Sequence, residues 1–247
     1  SMPVTKHNFI VKDIRDLAKV IRKAFRIAVS GRPGPVLIDV PKDITAQQWE
    51  YEPQPCGEKY PSPRFSQEDI DTAVDMLQKA KRPLLYAGGG VIRADAYQQL
   101  LRFAELLDCP VCNSLMGLGG FPGNHPLFVS LIGMHGSYEA DMALSECDLI
   151  IAAGARFSDR VAGDRKRFGQ QAEILHLDID RAEVDKNVAV QHSIVGDLKD
   201  ILPALCQGLT QQDHQEWRNR IERWRMEHPD TSSPAPDAPP QYGHILS

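Results

Sequence analysis

Two stretches of the chain carry residue types that could hold a charged ligand: Asp148-Leu-Ile-Ile-Ala-Ala-Gly-Ala-Arg-Phe-Ser-Asp-Arg160 and, ahead of it, Leu131-Ile-Gly-Met-His-Gly136. An acidic residue, a run of aliphatics and then Gly154 read as a parallel strand, apolar on both faces and ending in a tight turn. The turn delivers Arg156, Asp159 and Arg160 to the carboxyl edge of a sheet, where open α/β folds bind their ligands. Two guanidiniums at that edge suit a diphosphate or a carboxylate. The competing reading is a solvated loop with ordinary surface arginines.

Other strand ends repeat the theme. Tyr86-Ala-Gly-Gly-Gly90 follows a strand and leads toward a helix, so the amides of Gly88, Gly89 and Gly90 could approach a phosphate. The full dinucleotide fingerprint is not met, because Arg93 occupies its third glycine position and no acidic residue ends a strand about twenty residues later. Leu175-His-Leu-Asp-Ile-Asp180 presents Asp178 and Asp180, and Gly196-Asp197 repeats the arrangement at the following strand. Carboxylates so placed accept from ribose hydroxyls or an adenine amino group, although Asp180 and Asp197 read equally well as helix N-caps. His135 is the histidine best placed to face a ligand, with a hydrogen-bonded structural role as its commoner alternative. No nucleophile with a paired base, no metal-ligand spacing and no P-loop is visible. These residues together describe a nucleotide-cofactor binding domain without catalysis of its own.

The elements that must position them alternate in type. Residues 13–29 carry apolar positions on one helical face, Gly31-Arg-Pro-Gly-Pro35 breaks the helix, and residues 36–40 read as a short buried strand before Pro41. One helix and one strand make no core, so residues 1–46 are expected to be the tail of a domain. Ser1-Met2 reads as a cleavage scar and start site. Residues 47–64, with four prolines, read as a linker. Residues 65–209 form the central unit: a helix N-capped by Ser66 and ended by Pro83, strands at 84–87, 110–113, 148–153 and 173–178, helices near 95–107, 137–146 and 198–207, and a short helix near 181–186. Strand and helix in alternation predict a doubly wound α/β fold on a parallel sheet, with a partial flanking α/β domain. Residues 210–247 hold a helix striped by Trp217, Ile221 and Trp224, which suits packing better than ligand stacking, and a proline-rich linker at 229–240.

Composition excludes several classes. The chain has 247 residues, a formal net charge of -5 and 42% hydrophobic residues, without the basic excess of a nucleic-acid binder. No apolar run approaches the roughly twenty residues of a membrane span and no signal peptide is visible, so a soluble cytoplasmic protein is expected. Five scattered cysteines argue against a disulfide framework. Cys109-Pro-Val-Cys112 has the redox spacing but falls in a strand, where buried structural thiols are favoured.

The motifs together resemble the large catalytic subunit of the acetolactate synthase (acetohydroxyacid synthase) family of thiamine-diphosphate enzymes. The resemblance is carried by Thr5-Lys-His-Asn-Phe9, Ser30-Gly-Arg-Pro-Gly-Pro-Val-Leu-Ile-Asp-Val-Pro-Lys-Asp43, Leu85-Tyr-Ala-Gly-Gly-Gly90, Ser114-Leu-Met-Gly-Leu-Gly119, Ile132-Gly-Met-His-Gly136, Gly154-Ala-Arg-Phe-Ser-Asp-Arg160 and Leu177-Asp-Ile-Asp180. It spans residues 4 to about 207. It implies three α/β domains per subunit: this chain would supply the end of the first, pyrimidine-binding domain, the six-stranded central domain, and the linker toward a third, diphosphate-binding domain. The central domain is implied to hold FAD, which takes no redox part in the main reaction. Implied contacts are Gly88, Gly89 and Gly90 in the first loop, Ser114, Leu115 and Met116 in the second, and Ile132, Gly133, Met134 and His135 in the third. Gly154, Ala155, Arg156, Asp159 and Arg160 follow in the fourth, then Asp178, Ile179, Glu183, Asp197 and Leu198 at the last two strands. Arg160, beside Asp159 and Met134, is implied to engage the carboxylate of the second 2-oxo acid, for which a planar guanidinium offers two hydrogen bonds.

The implied reaction joins two pyruvates, or pyruvate and 2-oxobutyrate, with loss of carbon dioxide, in branched-chain amino-acid synthesis. Thiamine diphosphate, Mg²⁺ and the activating glutamate are implied to sit outside these residues, so the chain alone is expected to bind FAD weakly and to lack activity. Implied partners are further copies in a homodimer or tetramer and a small regulatory subunit. Ser158 stands where an acidic residue is common in the family, and 229–240 is unusually rich in proline. A glyoxylate-carboligase type of enzyme and a stand-alone nucleotide-binding regulatory module are the alternatives.

Overall fold

The structure, a computed structural model, describes residues 1–53, 63–163, 168–169 and 171–229. Cys56, half of the 47–64 segment (54–62) and nearly all of the proline-rich 229–240 segment lie outside the described residues. The chain divides into two compact units, Ser1–Pro63 and Arg64–Ser247.

In the first unit, strand β1 (His7–Ile10) pairs in parallel with β2 (Val36–Asp39), helix α1 (Leu17–Val29) lies between them in sequence, and one turn, α2 (Lys42–Thr45), follows. The sequence reading found α1 and β2 and missed β1. His7-Asn-Phe-Ile10 has no clean alternation, and its strand character comes from the ladder with β2.

The second unit begins with α3 (Gln67–Lys79). Ser66 and Asp69 form a reciprocal capping box, Ser66 Oγ accepting from the Asp69 N–H at 3.1 Å and an Asp69 carboxylate oxygen accepting from the Ser66 N–H at 3.0 Å. The helix ends at an extended Ala80, and Pro83 instead opens the first strand, a correction to its expected role as helix terminator. Then come β3 (Pro83–Ala87), α4 (Gly89–Ala94), α5 (Tyr97–Leu107), β4 (Val111–Asn113), β5 (Phe128–Leu131), α6 (Tyr138–Glu146), β6 (Leu149–Ala153), α7 (Asp159–Ala162), β7 (Glu173–Asp178), β8 (His192–Val195), α8 (Leu198–Gly208) and α9 (Gln215–Glu227). The short helix expected near 181–186 is a single 3₁₀ turn, Arg181–Glu183; the helix expected near 95–107 is α5, and α4 before it is an additional element.

These strands form one six-stranded parallel sheet in the order β5-β4-β3-β6-β7-β8. The chain starts in the middle, winds outward through β4 and β5, returns beside β3 with β6, and winds out the other way. Residues of β3 and β6 are buried throughout, as strands covered on both faces must be. One face packs Leu85, Phe103, Leu107, Ile151, Leu177, Ile201 and Leu205. The other packs Tyr86, Ala143, Ile150, Phe157, Trp217 and Ile221, so the Trp217 stripe is core. Cys109, Cys112 and Cys147 are buried free thiols, with burial pushing each thiol's pKa upward. Among the described residues, no helix is long and apolar enough to cross a membrane.

Candidate functional site

The order of strands has a consequence for chemistry. Between β3 and β6 the connections diverge to opposite sides, and an open parallel sheet forms its ligand crevice at the carboxyl ends on either side of such a reversal. The loops at that point are 88–90 after β3 and 154–157 after β6, flanked by 114–117 after β4 and 132–136 after β5. The sequence-implied residues therefore come together at one edge of the sheet. Asp178 and Ile179 follow β7 at the same edge, and Asp197 follows β8.

Glycine is required here chiefly because these loops touch one another. A Cβ on Gly88 would sit 2.3 Å from the Gly154 carbonyl oxygen, one on Gly90 would lie 2.6 Å from Gly154 Cα, and one on Gly117 would meet the Ala87 oxygen at 2.3 Å. Gly154 adds a left-handed φ of +57°. Two of the three amides expected to face a phosphate are already committed: Gly88 N–H donates to Ala153 O and Gly90 N–H to Gly154 O, each at 2.9 Å. The Gly89 amide, first in α4, has no intrahelical acceptor. The loop expected to approach a ligand with three amides thus has only this one uncommitted.

The fourth loop carries the charge. Arg156, Asp159 and Arg160 are exposed, and neither arginine forms an ion pair among the described residues. Arg160 Nη1 lies 3.6 Å from Met134 Sδ, and the Met134 N–H donates to Arg160 O at 2.9 Å, so the residues implied to meet the second 2-oxo acid do stand together. Gly133, at φ +101°, allows this approach: a Cβ there would lie 2.6 Å from Arg160 O. The Gly133 N–H donates to Asp141, whose carboxyl pKa is raised by burial. His135 is exposed on the same loop. Leu115, Met116 and Met134 leave 69%, 70% and 64% of their surface open, an apolar rim around a polar floor.

The acidic residues divide by role. Asp180 accepts from the Ala182 N–H at 3.0 Å and Asp197 from the Lys199 N–H at 2.9 Å, so both are local caps. Asp178 is buried at its strand end and accepts from the Asp180 N–H at 2.9 Å through one carboxylate oxygen. Burial raises its pKa. Glu183 is buried and accepts from Lys186 at 3.0 Å, and the Leu198 side chain lies in the core. Ser114 and Ala155 border the crevice, Ala155 with its methyl buried.

Two polar residues at this edge were not singled out from sequence. Tyr86, nearly fully buried, has its hydroxyl near Ser114 and Arg156, and burial pushes its pKa up to about 12. His176 is fully buried, and its Nε2 lies 3.0 Å from Ala155 O. Tyr86 closes an apolar strand and His176 lies between two leucines of β7, so their loop partners, distant in sequence, are what reveal them.

The glycine cradle, two arginines without an ion pair among the described residues, the apolar rim and the buried strand-end carboxylate fit a dinucleotide bearing an aromatic ring system. Among the described residues no group of three or more His, Cys, Asp or Glu is arranged to hold a metal ion.

Comparison with known proteins shows the family. The family model described as "Thiamine pyrophosphate enzyme, central domain" matches residues 70–205, more than half of the chain, and the chain belongs to that family. Within it the chain is similar to acetolactate synthase large subunits. It is 44% identical over 229 residues to the probable acetolactate synthase large subunit of Methanocaldococcus jannaschii, covering 89% of this chain and 39% of that protein. It is 43% identical over 246 residues to the acetolactate synthase isozyme 1 large subunit of Escherichia coli, covering 99% of this chain and 43% of that protein. The large subunit of Buchnera aphidicola from Schizaphis graminum is 42% identical over 91% of this chain and 41% of its own length. The chain thus spans about two fifths of the length of these curated relatives.

Proposed function

We propose that the chain is the FAD-holding middle portion of an acetolactate synthase large catalytic subunit, which condenses two pyruvates to 2-acetolactate, or pyruvate with 2-oxobutyrate to 2-aceto-2-hydroxybutyrate. The observation that carries this reading is the crevice between β3 and β6, where among the described residues the Gly89 amide has no acceptor and the Arg156 guanidinium no ion pair. In this reading residues 1–46 end a pyrimidine-binding domain, 47–64 are a linker, 65–209 are the flavin domain, and 210–247 lead toward a diphosphate-binding domain. The enzyme is cytoplasmic, works as a homodimer or tetramer, and takes a small regulatory subunit.

The roles follow from the positions. Gly89 N–H and Arg156 face the FAD diphosphate, Asp178 accepts from the adenosine portion, and Leu115, Met116 and Met134 cover the ring system and exclude water from it. Arg160 holds the carboxylate of the second 2-oxo acid by two hydrogen bonds, with Met134 and Asp159 limiting its swing. Thiamine diphosphate, with Mg²⁺, supplies the carbanion chemistry from outside these residues. FAD serves the architecture here, since its binding joins four strand-end loops into one surface.

The test is product analysis of the full-length protein with thiamine diphosphate, Mg²⁺ and FAD. Acetolactate from pyruvate supports the reading, and turnover of glyoxylate in preference to pyruvate replaces it with a glyoxylate-carboligase type. The chain of 247 residues alone is expected to form no acetolactate.

A further inference from the structure

His176 lies within β7, one strand in from the edge of the sheet, and its ring contacts the loop that bears Arg156. Its Nε2 is 3.0 Å from the carbonyl oxygen of Ala155 and 3.7 Å from a carboxylate oxygen of Asp178, and the Phe157 ring meets it edge-on at 5.2 Å. A carbonyl only accepts, so Nε2 carries the proton and Nδ1 is a bare lone pair. Nδ1 is buried without a hydrogen-bond partner among the described residues. Burial lowers the His176 pKa, in keeping with a neutral ring that donates from one nitrogen alone.

The bond fixes more than one atom. A trans peptide sets its C=O and N–H on opposite sides, and no cis peptide occurs among the described residues. Drawing the Ala155 oxygen down onto the buried imidazole therefore turns the next N–H, that of Arg156, away from the core. That N–H has no acceptor among the described residues, and the Arg156 side chain is exposed. One residue thus offers a backbone donor and a guanidinium together, as anion sites built on strand-end loops do.

We propose that His176 is a positioning residue: by holding the Ala155 carbonyl it aims the Arg156 N–H into the crevice as a donor to the diphosphate of a bound dinucleotide. This rests on the flavin reading above and adds a part of the site that touches no ligand. A histidine that merely filled the core would be replaceable by any ring of similar volume, whereas this one is replaceable only by a residue with an N–H in the same place.

The experiment is calorimetric titration of the full-length protein with FAD, ADP and adenosine, using His176→Phe and His176→Gln. Phe keeps the ring without the donor, and Gln restores an amide donor at similar reach. His176→Phe is expected to weaken FAD and ADP by about tenfold, the scale of a lost hydrogen bond to a charged group, while adenosine binding is unchanged and His176→Gln recovers most of the loss. Equal losses for ADP and adenosine, without recovery in His176→Gln, would show a purely structural role and overturn the inference. Unchanged ADP binding by folded His176→Phe would overturn it too. Wild-type protein that binds neither FAD nor ADP removes the flavin reading itself, a separable failure. A measurement on wild-type protein needs no variant: the Arg156 amide resonance should move on addition of ADP but not adenosine, and a static resonance in saturating ADP contradicts the proposal.

Discussion

The two edges of the six-stranded sheet are built on opposite principles. At the amino edge the backbone groups are closed off by side chains. Asp148 accepts from the Lys81 and Arg82 N–H groups at 2.9 Å each, and the Trp217 indole donates to Pro83 O at 3.0 Å. His214 places its ring nitrogens 2.8 Å from Leu107 O and 3.1 Å from Ala80 O, while Asp108 accepts from the His214 N–H and pairs with Arg218. At the carboxyl edge the loops are tied to one another through glycines, and the Gly89 and Arg156 N–H groups have no acceptor among the described residues. The same sheet therefore satisfies its backbone internally at one end and reserves donors at the other. Stability and binding are separated along the strand direction, which is why ligands of such folds collect at one edge.

The largest expected effect breaks the closed edge. Trp217→Ala removes a buried indole and orphans the Pro83 carbonyl, for a loss of ~3–5 kcal/mol in denaturant unfolding, without selective change in FAD affinity of the folded protein. A loss below ~1 kcal/mol would mean that α9 does not seal the sheet. Next comes Gly154→Ala at the open edge. Left-handed strain and a Cβ 2.7 Å from Gly90 Cα together cost about 3 kcal/mol and disrupt FAD binding. Gly119→Ala is its control: φ is +85° but nothing lies within 4 Å, so only the conformational cost of ~1–2 kcal/mol remains. Equal losses at the two glycines would deny that the loops hold each other.

Arg156→Ala sharpens the contrast from the other side. An exposed arginine without an ion pair among the described residues contributes within about 0.5 kcal/mol to stability, yet its loss should weaken FAD by ~10-fold or more. The smallest effect at neutral pH is that of Tyr86→Phe. A folded pKa raised to about 12, above the ordinary 10, means that the stability Tyr86 contributes is fully present below pH 10 and is lost as pH rises toward 12. The variant should lack that part of the alkaline decline, and coincident alkaline unfolding curves would show that the hydroxyl is not held as described.

Sequence legibility followed the same divide between apolar pattern and tertiary partnership. β3 and β6 stood out because central parallel strands are continuous apolar runs, β7 because Ile174, Leu175 and Leu177 lead into a strand-end carboxylate, and Arg156, Arg160 and the glycines because their types are unusual at a strand end. Phe128-Val-Ser-Leu131 and His192-Ser-Ile-Val195 did not, since edge strands are short and half-covered, with mixed composition. The glycines were visible, but their reason was not: contact between loops about 65 residues apart is written in neither loop alone. Tyr86 and His176 were hidden for a related cause, a polar tip inside an apolar run whose partner lies in another loop.

The most direct test of the open-edge account is a crystal structure of the full-length protein with FAD. The account predicts the diphosphate within hydrogen-bond reach, about 2.7–3.2 Å, of the Gly89 or Arg156 N–H, in the crevice between β3 and β6. A flavin seated elsewhere, with Arg156 still turned to solvent, would contradict it.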